Sequence, residues 1–477
     1  MMRVLVVNTN CERSPDTIIP IGACCVASSA KNAGYDIHFL DLTFSRSPRT
    51  DVINAINKIK PNVIALSVRN IDNCDMLYPK SYMPFMRDLA ETCRTVSDSP
   101  LVIGGSGVTC IPGPMLAYLG GDYAIVGEGE GSFPALLSTL EEKKDPAGVP
   151  GVVSAADENV LLPPVPCHSF SSAPNVDLSE WLDIGKYQRS GAAMPVQTKR
   201  GCSFHCSYCL YPKMEGEGIR LRNADEVASD VLLAEISGFR SVEFVDSVFN
   251  APEAHAISCC EAIASKDNRI PLQSLEVNPL YASAGLVQAM NSAGFSAVGC
   301  TAESASDDML ESLNKGFGVE QLHQAARQFR KLNATKVWVF MLGGPGETEK
   351  TVAETVRFIE KELTPGDLVY ITLGIRILPG TELNKTAIKE GLVSHNDDLL
   401  WPKFYFSPRL EPERAMSIIA ASRFPSANII SISDGNSRLL PLFQKMAHAL
   451  HISPPYWRLA PQWNRFSRAF RSGWWRD

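Results

Sequence analysis

The first 145 residues alternate short apolar runs with amphipathic stretches. Strand-like runs stand at Arg3 to Asn8, Asp36 to Asp41, Asn62 to Val68, Leu101 to Gly105 and Tyr123 to Gly127, with helical patterns between them. Apolar strands interleaved with helices predict an α/β unit, a doubly wound parallel sheet covered on both faces. The alternation returns later, with strands predicted at Met194 to Thr198, Val242 to Val245, Leu272 to Val277, Ala297 to Thr301, Val337 to Met341 and Val369 to Ile377. Six βα units at that spacing suit a partial TIM-type barrel of six parallel strands. From about Lys143 to Lys186 the chain is rich in Pro, Ser and Asp and reads as a surface connection, in which Cys167 and His168 are isolated. After the barrel the pattern weakens, with helical stretches at Ala415 to Ala421 and Leu439 to Ala449. The expected division is 1–145 for the first domain, 146–190 for the linker, 191–385 for the barrel and 386–477 for a mainly helical C-terminal region.

Composition narrows the picture. A chain of 477 residues exceeds one ordinary core, and 45% hydrophobic with 20% charged residues is typical of globular protein. A net charge of -7 argues against a general nucleic-acid binder. The chain opens directly into the strand-like MMRVLVVN and has no run of 18 apolar residues, so neither secretion nor a membrane span is expected. Thirteen cysteines, an odd number widely scattered, fit a reducing cytoplasm rather than a disulfide framework. Cys24, Cys25, Cys259 and Cys260 fall in helical patterns and read as small buried apolar residues.

Parallel sheets bind ligands at the carboxyl ends of their strands. In the first domain those ends carry Thr9 and Asn10, then Ser67, Arg69 and Asn70, then Gly104, Gly105 and Ser106, and finally Gly127, Glu128, Gly129 and Glu130. Glycine there lets a backbone approach a flat or phosphate-bearing ligand. NTNCERSP rather than GxGxxG follows the first strand, which disfavours a dinucleotide.

The sharpest chemical signal is KRGCSFHCSYCLYP, with Cys202, Cys206 and Cys209 in a Cx3Cx2C spacing directly after the first barrel strand. Three thiolates in one loop hold three irons of a 4Fe-4S cluster and leave the fourth open. Structural zinc is the competitor, but it needs four closed ligands, and His205 adjacent to Cys206 strains a tetrahedral set. The spacing, with Tyr208 before the last cysteine, resembles the signature of the radical S-adenosylmethionine enzymes. In that family the open iron binds the amino and carboxylate groups of S-adenosylmethionine, and an electron cleaves it to methionine and a 5'-deoxyadenosyl radical. The resemblance implies that Asp246 and Ser247 of VEFVDSVFN meet the amino or carboxylate end of S-adenosylmethionine. It implies that Glu303, beside Ser304 in GCTAESAS, meets the ribose or amino group, and that the backbone from Phe340 through Gly343 to Gly344 lines the adenine. Arg376 of GIRILPGTEL is a further candidate, while Asp307 and Glu347 fit helix capping.

IGG on the fourth strand, VGEGEGSF after the fifth and PIGACCVASSAKNAGYDIHFLDL near the start look like the cobalamin-binding domain that precedes many such barrels. The DxHxxG motif is absent, and His38 lies inside a strand, so the resemblance implies cobalamin held without a histidine ligand and Arg69 near its lower face. Taken together, these likenesses imply a cobalamin-dependent radical S-adenosylmethionine methyltransferase acting on an unactivated carbon. One S-adenosylmethionine would methylate the cobalamin and a second would supply the radical. Oxidative cyclisation or ring rearrangement without methyl transfer uses the same pair of domains, whereas a non-catalytic cobalamin or redox sensor fits poorly with polar strand ends around an open iron. The implied partners are a small-molecule or peptide or protein substrate and an electron donor such as flavodoxin or ferredoxin. The C-terminal region reads as a cap over the barrel. Its tail, with Trp457, Trp463, Trp474 and Trp475 among Arg458, Arg465, Arg468, Arg471 and Arg476, is expected to pack its rings and solvate its guanidinium groups.

Overall fold

The computed structural model describes residues 1–13, 16–154, 176–431, 446–450 and 452–462. Its first sheet contains β1 (Arg3–Asn8), β2 (Asp36–Asp41), β3 (Val63–Ser67), β4 (Leu101–Gly104), β5 (Tyr123–Ile125) and β6 (Val152–Ser154), in the order β2-β1-β3-β4-β5-β6. The first five run parallel, and the order reverses between β1 and β3, which opens a crevice above their carboxyl ends. β6 pairs antiparallel with β5 and buries Val153 completely. That strand falls where a surface connection was expected, since three residues are too few to register a period. Small residues let the helices lie close. Helix Ile21–Asn32 buries Ala23, Cys24, Ala27 and Ala30, and a Cβ on Gly129 would meet Val26 Cγ2 at 2.8 Å. As expected, Cys24, Cys259 and Cys260 are buried thiols outside any disulfide, whereas Cys25, expected to be buried with them, is only partly so.

The barrel follows as β7 (Met194–Val196), a short hairpin of β8 (Lys199–Arg200) and β9 (Arg220–Leu221), then β10 (Val242–Phe244), β11 (Leu272–Val277), β12 (Phe295–Glu303), β13 (Thr335–Leu342) and β14 (Leu368–Leu373). All six predicted parallel strands are present. The last ends early at Gly374, whose φ of 70° breaks the run. The chain then forms β15 (Ile375–Arg376), antiparallel to β16 (Phe404–Tyr405), and later adds a strand, β17 (Ile429–Ser431), to the open edge. The sheet order is β17-β14-β13-β12-β11-β10-β7, seven strands where six were expected.

Outward-facing strand residues pack under the helices. Phe244 lies 4.9 Å from Phe249 and 5.7 Å from Phe295 between ring centroids, and Trp338 lies 5.9 Å from both Phe329 and Phe358. Helix Pro412–Ala420 occupies the stretch expected to be helical at Ala415 to Ala421. Of the helix expected at Leu439 to Ala449, residues 446–449 are helical and the rest lie outside the described residues. Trp457 and Arg458 stand in the short helix Tyr456–Leu459. Trp463, Arg465, Arg468, Arg471, Trp474, Trp475 and Arg476, like Cys167 and His168, lie outside the described residues. Among those described, no helix is long and apolar enough to cross a membrane.

Candidate functional site

The cysteine loop is held at both ends. Asp246, its side chain fully enclosed, accepts hydrogen bonds from Thr198 N and Thr198 Oγ1 at 2.7 Å and from Lys199 N at 3.2 Å, with Lys199 Nζ 3.6 Å away. Gly201, at φ 96°, can only be glycine, because a Cβ would come within 2.3 Å of Gly218 O. Farther on, Ser207 N donates to Leu313 O at 2.9 Å, Leu383 N to Ser207 O at 2.8 Å, and Asn314 Nδ2 to His205 O at 2.7 Å. Cys209 N closes a turn on Cys206 O at 3.1 Å, and Tyr211 N points at Cys209 Sγ from 3.4 Å. Burial pushes all three thiols up, Cys209 to about 12, so a cationic occupant is needed to keep thiolates here. Among the described residues no three His, Cys, Asp or Glu converge to hold a single ion. A four-iron cluster, which takes one thiolate per iron, makes no such demand, and the donor set of three free thiols fits it.

Beside the loop stands a buried polar cluster. Glu303 ends β12 at φ 62°, next to an irregularity in the pairing with β13. Its Oε1 accepts from Tyr208 Oη at 3.0 Å and from Lys315 Nζ at 3.1 Å, while Oε2 is buried without a partner. Although burial disfavours its charge, the neighbouring Glu303 holds Lys315 above the usual lysine range. A buried carboxylate oxygen with nothing bound to it is a seat for an ammonium or hydroxyl group. Lys315 was not found from the sequence, because it lies in a loop after the short helix Asp307–Ser312 where no strand end marks it. Glu276 on β11, pushed up to about 8 by burial and then by Glu303, was missed for the same lack of a local signal.

Several residues expected to touch ligands are engaged elsewhere. Arg376 donates from Nε to Asp72 Oδ2 at 2.8 Å, from Nη1 to Ile377 O at 2.6 Å and from Nη2 to Leu399 O at 2.7 Å, which ties the barrel to the first domain. Asp246 is the brace just described, and Ser247 Oγ donates to Glu215 Oε2 at 2.6 Å. Ser304 Oγ lies 3.3 Å from Thr355 Oγ1, and the Phe340 ring is buried on the helix side, 6.4 Å from Phe358. Gly343, at φ 96°, sits against the Phe406 ring, and its amide and that of Gly344 donate to Glu347 Oε2. Glu347 therefore shapes the GGPG turn, while Thr348 caps the helix that follows. Asp307 Oδ1 accepts from Val319 N at 2.8 Å and caps a later helix.

In the first domain Glu128 pairs with Arg200 at 3.3 Å and with Arg220, and Glu130 pairs with Arg200 at 2.7 Å. The two carboxylates expected to face cobalamin thus grip the β8–β9 hairpin. The remaining candidates line the sheet's carboxyl edge. Thr9 Oγ1 donates to Ser67 O at 2.7 Å, Ser106 Oγ to Arg69 O at 2.9 Å and Gly127 N to Thr109 Oγ1 at 3.0 Å. Asn10 turns its side chain onto Glu12 N at 3.2 Å. Gly105, at φ 102°, packs where a Cβ would come within 2.5 Å of Val68 O, Gly104 ends β4 over Ile125, and Asn70 is half-buried. The glycines after β4 and β5 make a shelf, one strand over from the switch point, on which backbone can come close to a flat macrocycle.

Comparison with known proteins matches two family models in succession along the chain. Residues 8–137 match the B12 binding domain and residues 196–359 the Radical SAM superfamily. The chain is 25% identical over 410 residues to an uncharacterised methyltransferase of Pyrococcus horikoshii, covering 82% of this chain and 84% of that one. It is 24% identical over 454 residues to the tryptophan 2-C-methyltransferase of Streptomyces laurentii, covering 81% and 74%. The fold is similar to that of the radical S-adenosylmethionine methyltransferase TsrM from Kitasatospora setae, solved with cobalamin and a 4Fe-4S cluster bound. There the TM-score is 0.85 at 20% identity, over 99% of this chain and all of the other.

Proposed function

Because the chain belongs to the cobalamin-dependent radical S-adenosylmethionine enzymes, we propose that it is a methyltransferase that places a methyl group on an unactivated carbon of its substrate. The cofactors are a 4Fe-4S cluster, S-adenosylmethionine and cobalamin. When bound, the cluster and S-adenosylmethionine supply a hydrogen-abstracting radical and cobalamin carries the methyl group. Cys202, Cys206 and Cys209 would hold the cluster. Glu303 Oε2 would accept a polar group of S-adenosylmethionine, while Tyr208 and Lys315 keep the other oxygen of that carboxylate still. The Asp246 brace fixes the loop's entry, and Arg200 and Arg220 fix the distance from the loop to the glycine shelf of the first sheet. The observation that carries the reading is the unpaired, buried Oε2 of Glu303 beside a three-thiol loop.

The test is an anaerobic incubation of reduced, cluster-loaded protein with cobalamin, S-adenosylmethionine and candidate substrates. Matched yields of S-adenosylhomocysteine and 5'-deoxyadenosine are expected. 5'-Deoxyadenosine alone would mean cyclisation or rearrangement, and a protein that retains no cobalamin overturns the reading.

A further inference from the structure

A second set of charges lies inside the barrel, away from the cysteine loop. Glu243 on β10 and Gln273 on β11 are register partners. Their neighbours Val242, Phe244 and Leu272 belong to the core beneath the helices. Strand alternation therefore turns Glu243 and Gln273 the other way, into the lumen. A cavity of about 70 Å³ opens there, lined by Glu243, Gln273 and Pro195, by Asp16 and Thr17 from the segment after β1, and by Arg69 from the first domain. Whole small-molecule sites run to roughly 300 Å³ or more, so this space suits one functional group of a larger ligand.

The polar accounting inside it does not close. Gln273 Nε2 donates to Glu243 Oε2 at 3.2 Å, but Gln273, only 4% exposed, has no partner for Oε1. Burial, followed by the neighbouring Asp16, pushes the Glu243 carboxyl up to about 7, and burial alone pushes Asp16 up to about 6. With Glu243 about half protonated near neutral pH, its carboxyl and that of Asp16 come close to balancing Arg69, and a bound cation would hold both carboxyls charged; the unpaired amide oxygen of Gln273 adds an acceptor. Acceptors buried without donors are costly, and a primary ammonium brings three donors together with the opposite charge.

We infer that this cavity is the head-group subsite of the methyl acceptor and that it takes a primary ammonium between Glu243, Asp16 and Gln273 Oε1. The inference rests on the methyltransferase reading above, and it names the substrate class as amine-bearing.

The probe is a heat-treated soluble extract of cells that carry this chain, divided in two, with the primary amines of one half acetylated. Holoenzyme is given S-adenosylmethionine labelled in the methyl group, and labelled products are identified by mass spectrometry. Label is expected only with the untreated half, in a molecule with a free amine. Glu243→Gln and Asp16→Asn should each raise the extract concentration for half-maximal labelling by at least about tenfold, with cobalamin absorbance and iron content unchanged. Equal labelling in both halves, or half-saturation that neither substitution moves, overturns the subsite while leaving methyl transfer intact. Label in neither half, with both cofactors bound, overturns the methyltransferase reading and the subsite together.

Discussion

The seam between the two sheets and the lumen of the barrel are both rich in buried charge, yet they treat it in opposite ways. At the seam, Arg376 has bonds from Nε, Nη1 and Nη2, and Glu128 and Glu130 each meet a guanidinium. In the lumen, Glu303 Oε2 and Gln273 Oε1 have none. Buried polar atoms are nearly always paired, so the seam follows the rule and the lumen departs from it. The difference separates framework from chemistry. In these two places the satisfied charges hold the parts of the molecule together and the unsatisfied acceptors of Glu303 and Gln273 face space a ligand can enter. Elsewhere an unpaired atom, such as Glu347 Oε1 in the GGPG turn, belongs to the framework.

Four experiments press on that contrast, in descending order of effect. Cys206→Ala should abolish methyl transfer and the cluster's visible absorbance while far-ultraviolet circular dichroism stays that of the parent; full activity would remove the loop from the chemistry. Asp72→Ala at the seam leaves Arg376 buried and unpaired, and should cost about 3–5 kcal/mol in denaturant unfolding. A loss well under 1 kcal/mol would show that the seam is not held this way. Glu303→Gln in the lumen keeps the shape but not the charge, so affinity for S-adenosylmethionine should fall by roughly 10- to 100-fold. Lys315 loses its buried counter-ion in the same variant, so stability should fall too; a stability loss with unaltered affinity would move Glu303 to the framework.

The smallest effect concerns pH. Glu243 has its folded value raised from 4.5 to about 7, so its stabilising contribution is fully present below about 4.5 and is lost as pH rises through about 7. The cofactor-free protein should therefore unfold at lower denaturant at pH 8 than at pH 5.5, and Glu243→Gln should flatten that part of the profile. An unchanged profile in the variant would mean that Glu243 is hydrated in the cavity.

The strands and the cysteine loop were readable because each is local. Val242 to Val245 and Leu272 to Val277 carry their own periodicity, and Cys202, Cys206 and Cys209 lie within eight positions of one another. β17 was not readable, since three residues after a proline-broken stretch show no period. The ion pairs and hydrogen bonds of Arg376, Asp246 and Glu128 were not readable for a different reason. A charged residue at the end of a strand looks the same in sequence whether it faces a ligand or an ion partner 304 positions away, as Arg376 does in Asp72. Lys315, Glu243 and Asp16 were missed because only the closing of the barrel surrounds them with charge.

The grip of Glu128 and Glu130 on Arg200 and Arg220 also bears on how such proteins can be recombined. A chimera that replaced the first 145 residues with another corrinoid carrier would have to bring acids to the same two positions. Without them, two guanidinium groups would be stranded next to the cysteine loop, and the graft would lose the ion pairs that hold that loop against the carrier. The exchangeable unit is thus not the carrier alone but the carrier together with the hairpin it clasps.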